Sequence, residues 1–307
     1  MGTRRVLVTG CSSGIGLAVA ARLAKDELRR FKVVATMRDL GKRGALEKAA
    51  GGSLNKTLEI KQLDACCEAS IRECVNSLPD RRVDILVNNA GVGMIGPLEC
   101  QSIAAMKELF DTNFFGLARL VKEVLPDMKR RQSGHIVVMS SVMGIQGLLF
   151  NDVYSASKFA VEGFCESLAV QALKFHIKTT LVEPGPVVTE FERKVYEDAE
   201  KMDLSGTDEE TARIFREIYL PYSKKVDDRK GGSVSVCVFG HVADDMTRKR
   251  GKTVVTLPRP LRYCLMNSFT EQAEGWEILA GSRWTIFSAS LGSQCATGAG
   301  VHGSRGI

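Results

Sequence analysis

The segment that most constrains the fold lies near the N-terminus, where a short apolar run precedes three glycines and a helical pattern. Residues 6–8 read Val-Leu-Val, as expected of a strand buried on both faces of a parallel sheet. Gly10, Gly14 and Gly16 follow, and apolar residues then recur with helical period over residues 17–24. Such glycines let the backbone turn tightly and approach a phosphate group at the helix N-terminus. The segment predicts a phosphate-binding βα unit, with a purely structural turn as the alternative.

Further apolar runs alternate with helical patterns along the chain. This alternation predicts an α/β fold with a doubly wound parallel sheet of the Rossmann type. At 307 residues, the chain suits one domain with a sizeable core plus an extension. The other candidate strands cover residues 31–36, 58–63, 83–88 and 136–139.

Tyr154 and Lys158 are spaced four residues apart, which puts a phenol and an ammonium on the same face of a helix. A free tyrosine has a pKa of about 10 and is a poor acid or base at neutral pH. A nearby ammonium favours the phenolate and lowers that pKa. The pair therefore suits proton transfer on an alcohol oxygen, although both residues are also common on exposed helical faces.

Two further segments accompany these motifs. Residues 83–91 read as a buried strand that ends in Asn-Asn-Ala-Gly, and residues 135–141 read as another strand that ends in two serines. The glycine turn, the Asn-Asn-Ala-Gly segment, the two serines and the Tyr154/Lys158 pair follow one another along the chain in the order typical of the short-chain dehydrogenase/reductase family. The chain resembles that family over roughly residues 4–222. The resemblance implies an enzyme that moves a hydride between a nicotinamide cofactor and a carbon bearing an alcohol or carbonyl.

The resemblance also implies roles for individual residues. Tyr154 corresponds to the general acid/base, and Lys158 to the lysine that lowers the tyrosine pKa and hydrogen-bonds the nicotinamide ribose. Ser141 corresponds to the serine that polarises the substrate carbonyl, with Ser140 as the neighbour that could be mistaken for it. Asn113 corresponds to the asparagine that completes a proton relay; a helix kink without a relay is the alternative there.

The charge pattern after the second strand bears on the choice of cofactor. Arg38 lies where an arginine can pair with a 2′-phosphate, and Ser12 could add a donor, whereas Asp39 could instead reach a 2′-hydroxyl. NADP(H) is therefore expected in preference to NAD(H). The residues predicted to hold the cofactor are Gly10, Ser12, Ser13, Gly14, Ile15, Gly16, Arg38, Asp64, Asn89, Ala90, Gly91, Lys158, Pro184, Gly185 and Thr189.

Within the family, the runs at 9–16, 35–40 and 150–154 resemble one branch, the photoreceptor-type retinol dehydrogenases and the type 1 17β-hydroxysteroid dehydrogenases. Met143 stands where the steroid enzymes carry a glycine, and Tyr222 where they carry a histidine. A flexible thioether suits a slim polyene better than a rigid four-ring body. All-trans-retinal and all-trans-retinol are the expected substrates, with estrone and estradiol as the alternative. The predicted substrate contacts are Ser141, Met143, Tyr154 and Tyr222.

Composition excludes several other classes of protein. The net charge of +6 is modest and dispersed, so a nucleic-acid partner is not expected, although an anionic membrane surface could be contacted peripherally. No apolar run is long enough for a membrane span, and the composition of the first residues leads us to expect no signal peptide. Nine cysteines without a Cys-x-x-Cys pair and four histidines without ligand spacing predict a cytoplasmic protein without a metal site. The resemblance further implies a homodimer.

The C-terminal part departs from the family pattern. Residues 1–222 form the predicted dehydrogenase domain, with a helical substrate lid at 191–222. Residues 223–280 are atypical apart from a candidate strand at 253–257, and residues 281–307 have the composition of a disordered tail, as in an alternative or erroneous ending. Loss of the last strand of the sheet would leave a non-catalytic NADP-binding protein, which is the second alternative.

Overall fold

The computed structural model describes residues 2–223 and the backbone of residues 253–256. The chain divides into two units, Met1–Arg262 and Tyr263–Ile307, and all the described residues belong to the first. The predicted disordered tail at 281–307 lies outside the described residues, as does the predicted atypical segment at 223–280 except for residue 223 and residues 253–256.

In the described part of the chain, seven parallel strands form one sheet with the order β3-β2-β1-β4-β5-β6-β7. The order changes direction between β1 and β4, which creates the crevice where doubly wound folds bind nucleotides. The predicted doubly wound parallel sheet is therefore confirmed. The strands are β1 (Arg4–Val8), β2 (Phe31–Met37), β3 (Leu58–Gln62), β4 (Ile85–Asn88), β5 (Gly134–Met139), β6 (Ile177–Glu183) and β7 (Thr253–Thr256).

Helices cover both faces of this sheet. A π-helical segment, Asp111–Phe115, joins α4 to α5, and a second one, Ile214–Tyr219, follows α8. The helices are α1 (Gly14–Ala24), α2 (Gly44–Ala50), α3 (Glu68–Asn76), α4 (Ile103–Phe110), α5 (Gly116–Arg131), α6 (Asp152–Leu173), α7 (Glu190–Glu200) and α8 (Glu209–Arg213).

Two cores, one on each face of the sheet, explain the continuous apolar character of the strands. Leu7 packs in the core shared with α3, α5 and α6, whereas its neighbours Val6 and Val8 pack in the core shared with α1 and α2. Successive side chains of a strand point to opposite faces, so a strand covered on both sides has to be apolar at every position.

The strand β7 occupies the edge of the sheet beside β6. It pairs in parallel register from Thr180 with Thr253 to Glu183 with Thr256. The strand predicted at residues 253–257 is thus present. The absence of this strand was the basis for the non-catalytic alternative, which therefore loses its structural support.

The glycine turn between β1 and α1 is packed against the end of β4. Gly10 has a φ of 69°, in the left-handed region that favours glycine. A Cβ atom added at Gly16 would lie 2.4 Å from Asn89 Nδ2 and 2.4 Å from the carbonyl oxygen of Gly10. Because these neighbours are held by the strands, the first turn of α1 has to carry a glycine at this position.

Replacing Gly16 by Ala should therefore destabilise the protein by about 1–3 kcal/mol, since an added methyl group forces its packed neighbours to move. The free energy of unfolding in urea measures this loss. Gly147→Ala is the matched control, because a Cβ there has no neighbour within 4 Å, and its effect should stay within about 0.5 kcal/mol. Equal unfolding free energies for the two variants would contradict the packing argument.

Candidate functional site

The carboxyl ends of β1 and β4 are tied together by hydrogen bonds from Thr9 and Asn89. The Thr9 hydroxyl oxygen accepts from the backbone N–H groups of Asn89 and Ala90, both at 3.0 Å. Asn89 Nδ2 donates to the carbonyl oxygens of Thr9 at 2.9 Å and Gly10 at 3.2 Å. The amide thus holds the glycine turn in place. Sequence reasoning did not single out Thr9, although it directly precedes Gly10.

The N-terminus of α1 has the features of an anion site. Ser13 is its N-cap residue, and its side chain makes no capping hydrogen bond. Ser12 and Ile15 are half-buried beside it. Free N–H groups in the first helical turn and the helix dipole favour a phosphate group there. The turn therefore fits the pyrophosphate of a dinucleotide.

The segment after β6 reaches the same glycine turn. A Cβ atom added at Gly14 would lie 3.3 Å from Thr189 Cγ2, so Thr189 stands directly beside the turn. The carbonyl oxygen of Pro184 accepts from the backbone N–H of Val142 at 3.0 Å. Gly185, next to Pro184, is half-buried. This segment consequently links the candidate phosphate site to the loop that follows β5.

Lys158 is buried on α6 beside Tyr154. Its Nζ lies 5.7 Å from the centre of the Tyr154 ring and donates to the carbonyl oxygen of Met139 at 3.0 Å. Burial lowers the pKa of Lys158 to about 8, and the charge of Glu162 acts in the opposite direction. Lys158 is thus an ammonium held near the tyrosine in a site that disfavours charge.

Ser141 lies close enough to the catalytic candidate Tyr154 to influence its pKa. Burial raises the pKa of Tyr154 well above its usual range, and a hydrogen bond with the Ser141 hydroxyl lowers it in part. Ser141 Oγ also accepts from the backbone N–H of Met143 at 3.1 Å, which places the half-buried Met143 beside the pair. Ser140 faces Glu162 instead.

The pKa of Tyr154 differs from the expectation that Lys158 lowers it. The sequence predicted a tyrosine pKa lowered by the ammonium, whereas the pKa of Tyr154 is raised, with burial as the largest cause. The physical reason is that removal of the phenolate from water costs more free energy than interactions with its neighbours provide. In this structure, Lys158 Nζ donates a hydrogen bond to the backbone of β5, at the carbonyl oxygen of Met139.

Asn113 lies in the π-helical segment between α4 and α5 and is buried. Its Oδ1 accepts from the backbone N–H of Val92 at 2.8 Å, and its Nδ2 donates to the carbonyl oxygen of Val92 at 2.9 Å. Nδ2 also donates to Ser157 Oγ at 3.1 Å, and Ser157 Oγ donates to the carbonyl oxygen of Tyr154 at 2.7 Å. The π-helical turn thereby connects the loop after β4 to the helix that carries Tyr154.

Ser157 was not predicted as a site residue. The only sequence signal is its place between Tyr154 and Lys158, since the hydrogen bond to Asn113 spans 44 positions of the chain.

The candidate residues for the adenosine half follow β2 and β3. Arg38 is exposed directly after β2. The Asp39 carboxylate accepts from the backbone N–H of Gly41 at 2.8 Å and so caps a short 3₁₀ turn. After β3, Asp64 Oδ1 accepts from the backbone N–H of Cys66 at 3.0 Å. The Asp39 side chain is thus engaged in local structure, whereas Arg38 is held through its carbonyl oxygen, which accepts from Gln62 Nε2 at 3.1 Å.

The predicted lid begins with α7, which lies over the site. The Phe191 ring is 6.3 Å from the Tyr154 ring, centre to centre. A Cβ atom added at Gly93 would lie 2.5 Å from Val195 Cγ2, so α7 packs closely on the loop that follows β4. The last predicted substrate residue, Tyr222, is half-buried at the end of the lid. Phe191 of the lid therefore lies beside Tyr154, and Val195 packs on the loop that leads from β4.

Among residues 2–223, no cluster of three or more histidine, cysteine, aspartate or glutamate side chains could hold a metal ion. In the same part of the chain, no helix has both the length and the apolar character that crossing a membrane requires.

Comparison with known proteins identifies relatives of this chain. The family model described as short chain dehydrogenase matches residues 4–200. Retinol dehydrogenase 8 of Bos taurus is 60% identical over 252 residues, which cover 80% of this chain and 81% of that protein. The 17-beta-hydroxysteroid dehydrogenase type 1 of Homo sapiens is 49% identical over 72% of this chain and 67% of that protein.

A solved structure, the closed form of serine dehydrogenase complexed with NADP+, is similar with a TM-score of 0.66 and 27% identity, covering 82% of this chain and 94% of that one. The sheet order, the glycine turn and the family match agree with one another. The chain therefore belongs to the short-chain dehydrogenase family and is an oxidoreductase.

Proposed function

We propose that this protein interconverts all-trans-retinal and all-trans-retinol with NADP(H) as the cofactor. The observation that carries the proposal is the proximity of Ser141, Tyr154 and the Phe191 ring of the lid, in a chain 60% identical to a retinol dehydrogenase. A long polyene with one polar end matches a site whose polar groups are concentrated at Tyr154 and whose cover is apolar.

In this proposal, Tyr154 gives a proton to the substrate oxygen during reduction and takes it back during oxidation. Ser141 donates a hydrogen bond to the same oxygen as negative charge develops on it. The nicotinamide cofactor, when bound, supplies or accepts the hydride. Phe191 and Val195 on the lid exclude water, which strengthens the electrostatic interactions at the reacting oxygen.

Lys158 and Asn113 act behind the tyrosine. The Lys158 ammonium stabilises the Tyr154 phenolate and holds the nicotinamide ribose. Asn113 completes a proton path to Lys158 from the loop after β4. Hydrogen bonds of Asn113 to Val92 and Ser157, which fix its amide, support this part. Gly91 lies between the two side chains: a Cβ atom added there would be 3.3 Å from Asn113 Oδ1 and 4.0 Å from Lys158 Nζ.

Tyr154→Phe should lose about 10²–10⁴-fold in turnover, because the proton donor is removed while the ring remains. NADPH consumption, followed by absorbance, measures this with all-trans-retinal and estrone offered in parallel. NADPH binding and the unfolding midpoint of the variant serve as controls and should be retained. Retinal turnover that survives in Tyr154→Phe would contradict the assignment, and parent protein that consumes NADPH only with estrone would favour the steroid alternative.

The preference for NADP(H) rests on Arg38. Its guanidinium can pair with a 2′-phosphate in a bidentate manner, whereas the Asp39 carboxylate, which could repel that phosphate, already caps the following turn. Ser12 in the glycine turn adds a further donor. A relative in fold, serine dehydrogenase, was solved with NADP+.

Arg38→Ala should weaken NADPH binding by tenfold or more, since a hydrogen bond to a charged group contributes about 1.5–3 kcal/mol, and should leave NADH binding nearly unchanged. Titration of nucleotide fluorescence measures both affinities. Arg72→Ala removes an exposed arginine of α3 and is the matched control. An equal loss for both nucleotides would contradict the role of Arg38.

A second candidate activity, oxidation and reduction of 17β-hydroxysteroids, is favoured by the 49% identity to the human steroid enzyme. Met143 separates the two candidates in this proposal, because its backbone N–H donates to Ser141 Oγ and its flexible thioether suits a slim polyene better than a rigid four-ring substrate. Tyr222 is the other candidate contact, toward the far end of the substrate.

Met143→Gly should raise estrone turnover relative to retinal turnover, because a glycine leaves room for the rigid steroid. The ratio of kcat/KM for the two substrates measures the effect, and Met143→Ala should give an intermediate ratio. If the ratio is the same in the parent and both variants, Met143 does not determine substrate choice.

The proposal also includes a cytoplasmic protein that forms a homodimer and touches membranes peripherally. Phe159, Val170 and Leu173 on α6 are exposed apolar side chains that a second copy would cover. Val188, three residues before the lid, is 58% exposed and would face the lipid from which an apolar substrate enters.

A further inference from the structure

An acidic side chain, Glu162, lies one helical turn after Lys158 on α6. Glu162 follows Lys158 by four residues on α6, so both side chains project from the same face of the helix. Glu162 is half-buried, but its Oε1 atom is shielded from solvent and has no hydrogen-bond partner among the described residues. Such an atom requires an explanation, because an unsatisfied buried acceptor is costly.

Ser140 carries the matching unsatisfied group. Its Oγ atom is also buried and makes no hydrogen bond of acceptable geometry in the described part of the chain. A Cβ atom added at Gly144 would lie 2.8 Å from Ser140 Oγ and 3.1 Å from Glu162 Oε1. The two oxygens therefore flank one small space, which stays open only because residue 144 is a glycine.

The charges around Glu162 come from two elements. Burial raises the pKa of Glu162, the Ser140 hydroxyl and the Lys158 ammonium lower it, and the carboxylates of Glu183 on β6 and Glu166 on α6 raise it. Lys158 is thus one of the two groups that favour the ionised form of Glu162, after Ser140.

The effect is mutual. Burial lowers the pKa of Lys158 to about 8, and the groups that raise it are Glu162 first and Cys165 second. Among the described residues, Glu162 is accordingly the main group that favours the charged form of Lys158. Tyr154 is the remaining titratable neighbour, with its ring 5.7 Å from Lys158 Nζ.

We propose that Glu162 is a positioning residue for the reaction, whose carboxylate, supported by Ser140, keeps Lys158 protonated and directed toward Tyr154 and the cofactor. The proposal rests on the proposed function, because it assigns a partner to the lysine of that site. Without the carboxylate, the buried ammonium loses its proton at a lower pH. The phenolate of Tyr154 then loses the positive charge that stabilises it.

The test is the pH dependence of retinal reduction by Glu162→Gln. The alkaline limb of kcat/KM should move to lower pH by about one unit, because removing an opposite charge lowers the pKa of the ammonium. Glu166→Gln removes an exposed carboxylate one turn farther along α6 and is the matched control; its limb should coincide with that of the parent. Glu162→Asp keeps the negative charge, so its alkaline limb should lie close to that of the parent.

NADPH affinity across the same pH range provides a readout that needs no turnover. In Glu162→Gln, the affinity should begin to fall at a lower pH than in the parent, because a Lys158 ammonium would donate a stronger hydrogen bond to the ribose than a neutral amine does. A parent that binds NADPH but does not reduce retinal would refute the proposed function, while this affinity profile would still test Glu162.

If the alkaline limb of the kcat/KM profile lies at the same pH in Glu162→Gln and in the parent, the proposal is overturned. If Glu162→Gln does not fold, Gly144→Ala is the second variant, because its added methyl group would meet both Ser140 Oγ and Glu162 Oε1 and so displaces the carboxylate without removing a charged group. A downward shift of the limb in Gly144→Ala supports the proposal, and an unshifted limb overturns it.

Discussion

The hydrogen bonds between Thr9 and Asn89 are the contact on which the rest of the site depends. They join the ends of β1 and β4, where the strand order of the sheet changes direction. Asn89 Nδ2 fixes the glycine turn on one side, and the loop that follows Asn89 reaches Asn113 on the other. The candidate phosphate site and the candidate proton path are consequently both positioned by one pair of side chains.

Burial is the second constraint on the site. It raises the pKa of Tyr154 and lowers the pKa of Lys158, so each residue is driven toward its neutral form. Proton transfer at neutral pH requires groups that offset this effect, and Ser141 and Glu162 are the ones the structure provides. The chemistry of the site therefore depends on neighbours as much as on the tyrosine and lysine themselves.

The sequence predicted those parts of the structure that depend on local pattern. The apolar run before Gly10 sufficed to predict β1, because burial on both faces leaves a continuous apolar signature. The glycine spacing predicted the turn that follows it, and the candidate strand at 253–257 corresponds to β7. The π-helical segment that presents Asn113, the hydrogen bond of Ser157 and the raised pKa of Tyr154 could not be predicted. They arise from contacts between residues far apart in the chain and from the depth at which the tyrosine lies.

Transfer of deuterium from labelled NADPH to all-trans-retinal tests the central claim most directly. With the nicotinamide carrying deuterium at the transferable position, the retinol formed should contain one deuterium on the carbon that bears the hydroxyl group, as measured by mass spectrometry, and Tyr154→Phe should form almost none. Unchanged retinal in the presence of bound NADPH, or retinol without the label, would contradict hydride transfer at this site.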